Sequence, residues 1–248
     1  MKSMTSELLE YFVIQKDKIK ERSIEYLHAD PFPHIVLDNF LPLSVAEKIL
    51  DLFPDKDFED FVRPEFGTNQ VGKLGQVQKS YFLNIDPWLR YILYELNSMV
   101  FLDYLTNLTG YHGLIADPHY KGGAFHTILP GGKLDIHADF NTDKKRKLRR
   151  CLNVLIYFNK DWKDAYNGHL ELWDKNMSKC VQRISPAFNT AVIFNTTSDS
   201  YHGHPKPLAC PDDMTRKSIA LYYYVATKEV FDVEDVKHST LWQQPKSL

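Results

Sequence analysis

Cysteine is scarce in this chain. There are only three, Cys151, Cys180 and Cys210, with no CxxC pair and no even set to build a disulfide framework. A reducing compartment is the natural reading. Nowhere do 18 apolar residues run together, so no membrane-spanning helix is expected. The opening MKSMTSELLEYFVIQKDKIKERS lacks an unbroken apolar stretch and a small-residue cleavage site, as a secretory leader would have. The expectation is a soluble, cytoplasmic protein. Charge of one sign is missing too. Thirty Lys and Arg against 32 Asp and Glu leave a net −2, which gives no basis for non-specific nucleic-acid binding. One local basic run, Lys144-Lys145-Arg146-Lys147 with Arg149-Arg150, reads as a solvated loop; a sharper reading has it guide an acidic substrate. Internal repeats and low-complexity segments are absent.

What is present is enough for a packed core: 248 residues, 44% hydrophobic and 13% aromatic. The expected organisation is one domain over 1–248, with a helical support region 1–112, a core 120–226 and a tail 227–248. Helices are expected over Ser6–Glu21, over Ser44–Phe53 with Ser44 as N-cap, from Asp86-Pro87 through LRYILYELNSM, and over Phe101–Leu108 before Gly110. His34–Asp38 reads as a strand. Beyond residue 120 eight short strands separated by turn residues are expected: 124–129, 133–139, 149–158, 169–173, 180–184, 189–194, 201–204 and 218–225. That spacing suggests a closed barrel or jelly roll. Pro130-Gly131-Gly132 reads as a hairpin-type break.

The chemistry concentrates in His137-Ala138-Asp139. On a strand, residues two apart share a face, so one imidazole and one carboxylate point the same way. A second imidazole from Tyr201-His202-Gly203-His204 would complete two histidines and one carboxylate, the facial set of non-haem Fe(II) oxygenases. His202 is preferred because His204 precedes Pro205 and begins to leave the sheet, but both stay open. Arg216 and Ser218 share a face of the strand RKSIALYYYV and can both donate to one carboxylate. Asn153 and Tyr157 are the polar members of the apolar strand RCLNVLIYFN and share its face. His112, His119, His126, His169 and His238 read as structural or surface residues, and Trp162, Trp173 and Phe188 as core.

Taken together these residues resemble the Fe(II)- and 2-oxoglutarate-dependent oxygenases, in their prolyl-4-hydroxylase-like branch. The likeness runs over residues 120–226 and rests on His137/Asp139, on Ile156-Tyr-Phe-Asn-Lys-Asp-Trp162, Asn167-Gly-His-Leu-Glu-Leu172 and Pro186-Ala-Phe-Asn-Thr-Ala-Val-Ile-Phe194, and on His202 and Arg216. Upstream, Phe32-Pro-His-Ile-Val-Leu-Asp-Asn-Phe-Leu-Pro42 is similar to the opening segment of many members. The resemblance implies an α+β fold whose mainly β core is a double-stranded β-helix, a cupin-like jelly roll, packed with N-terminal helices. It implies iron on His137, Asp139 and His202, and 2-oxoglutarate held by Arg216 with Tyr157, Asn153 and Ser218. It further implies dioxygen as co-substrate, admits ascorbate, and points to C–H hydroxylation with release of succinate and carbon dioxide. The substrate would be a prolyl residue in a peptide or protein, or another amino acid or small molecule. Related halogenases have a small residue where Asp139 stands, so hydroxylation is the expected outcome. Two departures stand out: His202 and Arg216 are 14 positions apart, a little more than in protein prolyl hydroxylases, and Leu129 stands where many members have tyrosine. The alternatives are an oxygenase of a nucleobase, against which the lack of a basic stripe stands, or of a glycan-related substrate, and a non-catalytic jelly-roll binding module, which would give no visible band with Fe(II) and 2-oxoglutarate. Oligomeric state is not legible.

Overall fold

The computed structural model describes residues 4–62, 69–76 and 81–227. Six helices, α1 (Met4–Lys20), α2 (Ser23–Leu27), α3 (Leu43–Leu52), α4 (Tyr81–Asn84), α5 (Pro87–Glu95) and α6 (Met99–Thr109), occupy the first part. The strands are β1 (His34–Leu37), β2 (Phe61–Val62), β3 (Gln70–Gln76), β4 (Ile115–Ala116), β5 (Ala124–His137), β6 (Thr142–Asp143), β7 (Leu148–Tyr157), β8 (Leu170–Trp173), β9 (Cys180–Ile184), β10 (Ala191–Asn195), β11 (His202–His204) and β12 (Arg216–Ala226).

The helix signals act largely as expected. Asp86 caps α5, its Oδ1 accepting from the Trp88 amide at 2.7 Å, and Pro87 follows at a position where a missing N–H costs nothing. Gly110 ends α6 in the left-handed region, at φ +73°. Ser44 is not the cap of α3. That position is Pro42, and the Ser44 hydroxyl donates to Glu7 of α1 instead, at 2.7 Å. No helix among the described residues is long and apolar enough to cross a membrane.

The strands hydrogen-bond in the order β1-β10-β7-β12-β5-β11-β8-β9, every pairing antiparallel, and curl into a double-stranded β-helix. β5 belongs to both halves. Its first part pairs with β12 (Ile128 opposite Arg216), and its last part with β11 (His137 opposite His202). The expected hairpin at Pro130-Gly131-Gly132 is instead a bulge within this one long strand, because β3 pairs with both sides of it, Lys73 opposite Ile128 and Gln70 opposite Leu134. A Cβ on Gly132 would meet Ile128 Cγ2 at 2.5 Å and Leu129 O at 2.7 Å, so only glycine passes here. β3 itself corrects the expectation that the region before residue 112 is helical apart from one strand.

β7 is apolar and buried along most of its length because it lies between β10 and β12. Its outer face joins the helices in one hydrophobic cluster that runs from Leu8 and Phe12 through Phe101 and Leu105 to Val154, Ile156 and Ile219. Phe12 stands edge-on to Phe101 and Tyr104, with ring centroids 4.8 and 5.1 Å apart. Polar clasps orient these layers. Tyr223 of β12 donates to Leu96 O at 2.6 Å, Tyr26 of α2 to Asn195 Oδ1, and the Asn189 side chain exchanges two bonds with the Leu41 backbone, at 2.8 and 2.9 Å. Trp162, Trp173 and Phe188 are only partly buried, so they border the core rather than fill it. The three cysteines are free thiols, two buried and Cys180 exposed.

Candidate metal centre and its cavity

His137 is the last residue of β5, and Asp139 follows just beyond the strand. β11 brings His202 directly opposite His137, with ring centroids 4.6 Å apart. Each imidazole points its Nδ1 at a backbone carbonyl, His137 at Asp135 O (2.9 Å) and His202 at Ser200 O (2.9 Å). An N–H there commits Nδ1 as donor and leaves Nε2 with a free lone pair. Both Nε2 atoms face the Asp139 carboxylate, at 3.6 Å from Oδ1 and 3.4 Å from Oδ2. The three ligand atoms lie within 4.8 Å of one another. Donors about 2.1 Å from a first-row metal and at right angles would stand about 3 Å apart, so the set fits a metal after a small inward movement. His204, two residues on, lies opposite Leu134, outside the triad. Its Nδ1 is buried without a partner, and burial, with Arg216 and Lys73 nearby, holds its pKa well down.

Asp139 is anchored from behind. Arg150 Nη2 and Asn153 Nδ2 both donate to Oδ2 at 2.8 Å. Burial would raise this carboxyl's pKa, but the adjacent imidazoles of His137 and His202 and the charge of Arg150 outweigh it and hold the pKa well below the usual range. Arg150 corrects the reading of the basic run as wholly solvated: it is 1% exposed, whereas Arg149 and Lys144 are exposed. It donates to Asn153 Oδ1 as well and stands over the Tyr222 ring, 3.5 Å from its centroid. Asn153, expected to meet 2-oxoglutarate, spends its side chain on Asp139, Arg150 and Thr196.

The triad opens into a cavity of about 530 Å³. In its wall Arg216, Ser218 and Tyr157 come together, Ser218 directly opposite Tyr157. Arg216 is 5% exposed; its Nε donates to Gly168 O at 2.7 Å and its guanidinium stands over Tyr157. No carboxylate among the described residues pairs with it. Burial lowers its pKa, with Tyr157 opposing, and the Tyr157 hydroxyl is buried without a hydrogen-bond partner. A fixed cation and an orphaned hydroxyl in one pocket suit the carboxylate of an organic acid. His126, read as structural or surface, lines the cavity beside Ser218. Lys73 of β3 lines it too. Burial presses its pKa down to about 8, Asp139 opposing and Arg150 and Arg216 assisting. His169 pairs with Asp164 at 2.7 Å on another flank, His112 and His119 are exposed, and His238 lies outside the described residues.

Gly203 sets the spacing of the triad. A Cβ there would meet Asp135 O and Leu134 O, both at 2.8 Å. Backbone cannot yield as a side chain does, so Gly203→Ala should push β11 from β5 and His202 from His137. The expected result is a stability loss of about 1–3 kcal/mol in denaturant titration. Iron affinity, read by calorimetry, should drop by about tenfold or more.

Residues 123–224 match the 2OG-Fe(II) oxygenase superfamily. No curated protein matches the chain. Among solved structures, similar folds include a prolyl hydroxylase from Trichoplax adhaerens in complex with a hypoxia inducible factor peptide, at 18% identity and TM-score 0.65, covering 90% of this chain and 97% of that one. A Pseudomonas putida prolyl-4-hydroxylase follows at 15% and 0.59, covering 84% and 99%. HygX from Streptomyces hygroscopicus, with nickel and 2-oxoglutarate bound, gives 9% and 0.54, covering 84% and 87%. Residues 123–224 thus match the 2OG-Fe(II) oxygenase superfamily, and that match, with the His137/Asp139/His202 cluster inside it, supports Fe(II)- and 2-oxoglutarate-dependent dioxygenase chemistry on a fold shared with prolyl-4-hydroxylases.

Proposed function

We propose that this enzyme hydroxylates an unactivated C–H bond of a prolyl residue, or of another amino-acid or small-molecule substrate, with His137, Asp139 and His202 holding Fe(II). The observation that carries the ligand assignment is the paired commitment of both Nδ1 atoms to backbone carbonyls, which aims two Nε2 lone pairs and one ionised carboxylate at one point. When bound, Fe(II) and 2-oxoglutarate supply the activation of dioxygen, the 2-oxo acid leaving as succinate and carbon dioxide. Arg150 and Asn153 keep Asp139 ionised and fix its orientation. Arg216, Ser218 and Tyr157 hold the distal carboxylate, the guanidinium by charge and the two hydroxyls by hydrogen bonds. Phe140 and Tyr222 flank Arg150 and line the cavity beside it.

The prolyl reading draws on the fold shared with two prolyl hydroxylases and on the segment Tyr157-Phe-Asn-Lys-Asp-Trp162. The test has two parts. Anaerobic Fe(II) with 2-oxoglutarate should give a weak visible charge-transfer band, and incubation with cell extract in air should yield succinate and a singly oxygenated product seen by mass spectrometry. A protein that gives no band and no succinate is not acting as an oxygenase. Oxygen appearing on a nucleobase or a sugar would replace the amino-acid substrate class.

A further inference from the structure

Lys73 enters the cavity from a strand outside the matched residues 123–224. β3 pairs with β5 and β5 with β12, so Lys73, Ile128 and Arg216 stand opposite one another in one row across three strands. Residues directly opposite project from the same face, and all three line the cavity. With neighbouring strands about 4.8 Å apart, the attachment points of the two cations are about 10 Å apart. Two long side chains from that separation can close on the ends of a small dicarboxylic acid.

The acidic groups on the cavity wall are already engaged. Asp139 is held by Arg150 and Asn153, and Asp135 by Lys133 at 2.8 Å. No acidic side chain among the described residues lies within ion-pair distance of Lys73. A half-buried ammonium that lines a cavity without a counter-ion is well placed to take an anionic ligand. Leu129, beside the bulge, offers no polar group of its own.

We propose that Lys73 is a second carboxylate-binding residue of the cavity, distinct from Arg216. Only the ownership of that carboxylate rests on the functional reading above. Either it is the other carboxylate of the 2-oxo acid, or it belongs to the molecule being hydroxylated. In the second case the molecule being hydroxylated carries a carboxylate of its own.

The experiment is amine labelling of the wild-type protein, loaded anaerobically with Fe(II), with peptide mass spectrometry reading Lys73. It is joined by calorimetry on Lys73→Met and Lys73→Arg. If 2-oxoglutarate shields Lys73, Lys73→Met should lose about tenfold or more in 2-oxoglutarate affinity, as expected for a charged hydrogen bond. Lys73→Arg should then stay near wild type, and the carboxylate is the cofactor's own. If 2-oxoglutarate leaves Lys73 labelled but acetate or L-proline, added to the 2-oxoglutarate-loaded protein, shields it, the carboxylate is the substrate's. Either result supports the proposal. Undiminished labelling with all three present overturns it. A wild-type protein that does not bind 2-oxoglutarate at all would sink the functional reading, while shielding by acetate would still decide the role of Lys73.

Discussion

Asp139→Ala, His137→Ala and His202→Ala should each retain no bound iron after dialysis and turn over no 2-oxoglutarate, while circular dichroism stays that of the parent. The three side chains are the only described cluster of metal-ligating groups with their atoms within 4.8 Å of one another. Loss of groups that merely orient ligands costs about 10–100-fold in metal affinity, so Arg150→Met and Asn153→Ala should fall in that range and the ligand variants well beyond it. His204→Ala should keep its iron, because His204 lies opposite Leu134 rather than His137. If His204→Ala lost the metal and His202→Ala kept it, the triad would have to be redrawn.

Arg216→Lys should cost at least about tenfold in 2-oxoglutarate affinity, since a point ammonium cannot reproduce the guanidinium fork and breaking a buried charged contact costs about 2–5 kcal/mol. Iron affinity measured without 2-oxoglutarate should hardly change, as Arg216 points at Gly168 O and Tyr157 rather than at the triad. Ser218→Ala should follow the same pattern more mildly, by about 0.5–1.5 kcal/mol for a neutral hydroxyl. Calorimetry that found 2-oxoglutarate binding unaltered in Arg216→Lys would place the organic acid elsewhere.

Much of this cavity was legible in the chain itself, for a physical reason. His137 with Asp139, and Arg216 with Ser218, are neighbours at a spacing of two, and extended backbone turns that spacing into a shared face. Asn153 was found by the same rule, but its partners could not be, because they depend on where Arg150 goes. Arg150 was hidden in a run of six cations over seven positions. Only the start of β7 decides that Arg149 faces water and Arg150 turns inward. Lys73 was invisible because Gln70–Gln76 holds one β-branched residue and two glycines; the strand exists through its pairing with β5, not through propensity. The bulge in β5 misled for the matching reason. Pro-Gly-Gly is good turn chemistry, and only a third strand spanning it shows that the chain carries straight on.

Arg216 keeps its charge among neutral partners, a carbonyl and an aromatic ring, and such burial weighs on the folded state. Whatever anion completes the pocket relieves that burden and is repaid as resistance to unfolding, about 2.7 kcal/mol at a hundred times its Kd. Arg216→Met should therefore melt at or above the wild-type temperature in the ligand-free protein, yet gain nothing when 2-oxoglutarate is added. In a cell, proteolysis acts on the unfolded minority, so the lifetime of this chain would rise and fall with the supply of a central metabolite. An anion that answers this charge would thus govern how much of the protein persists as well as how fast it works.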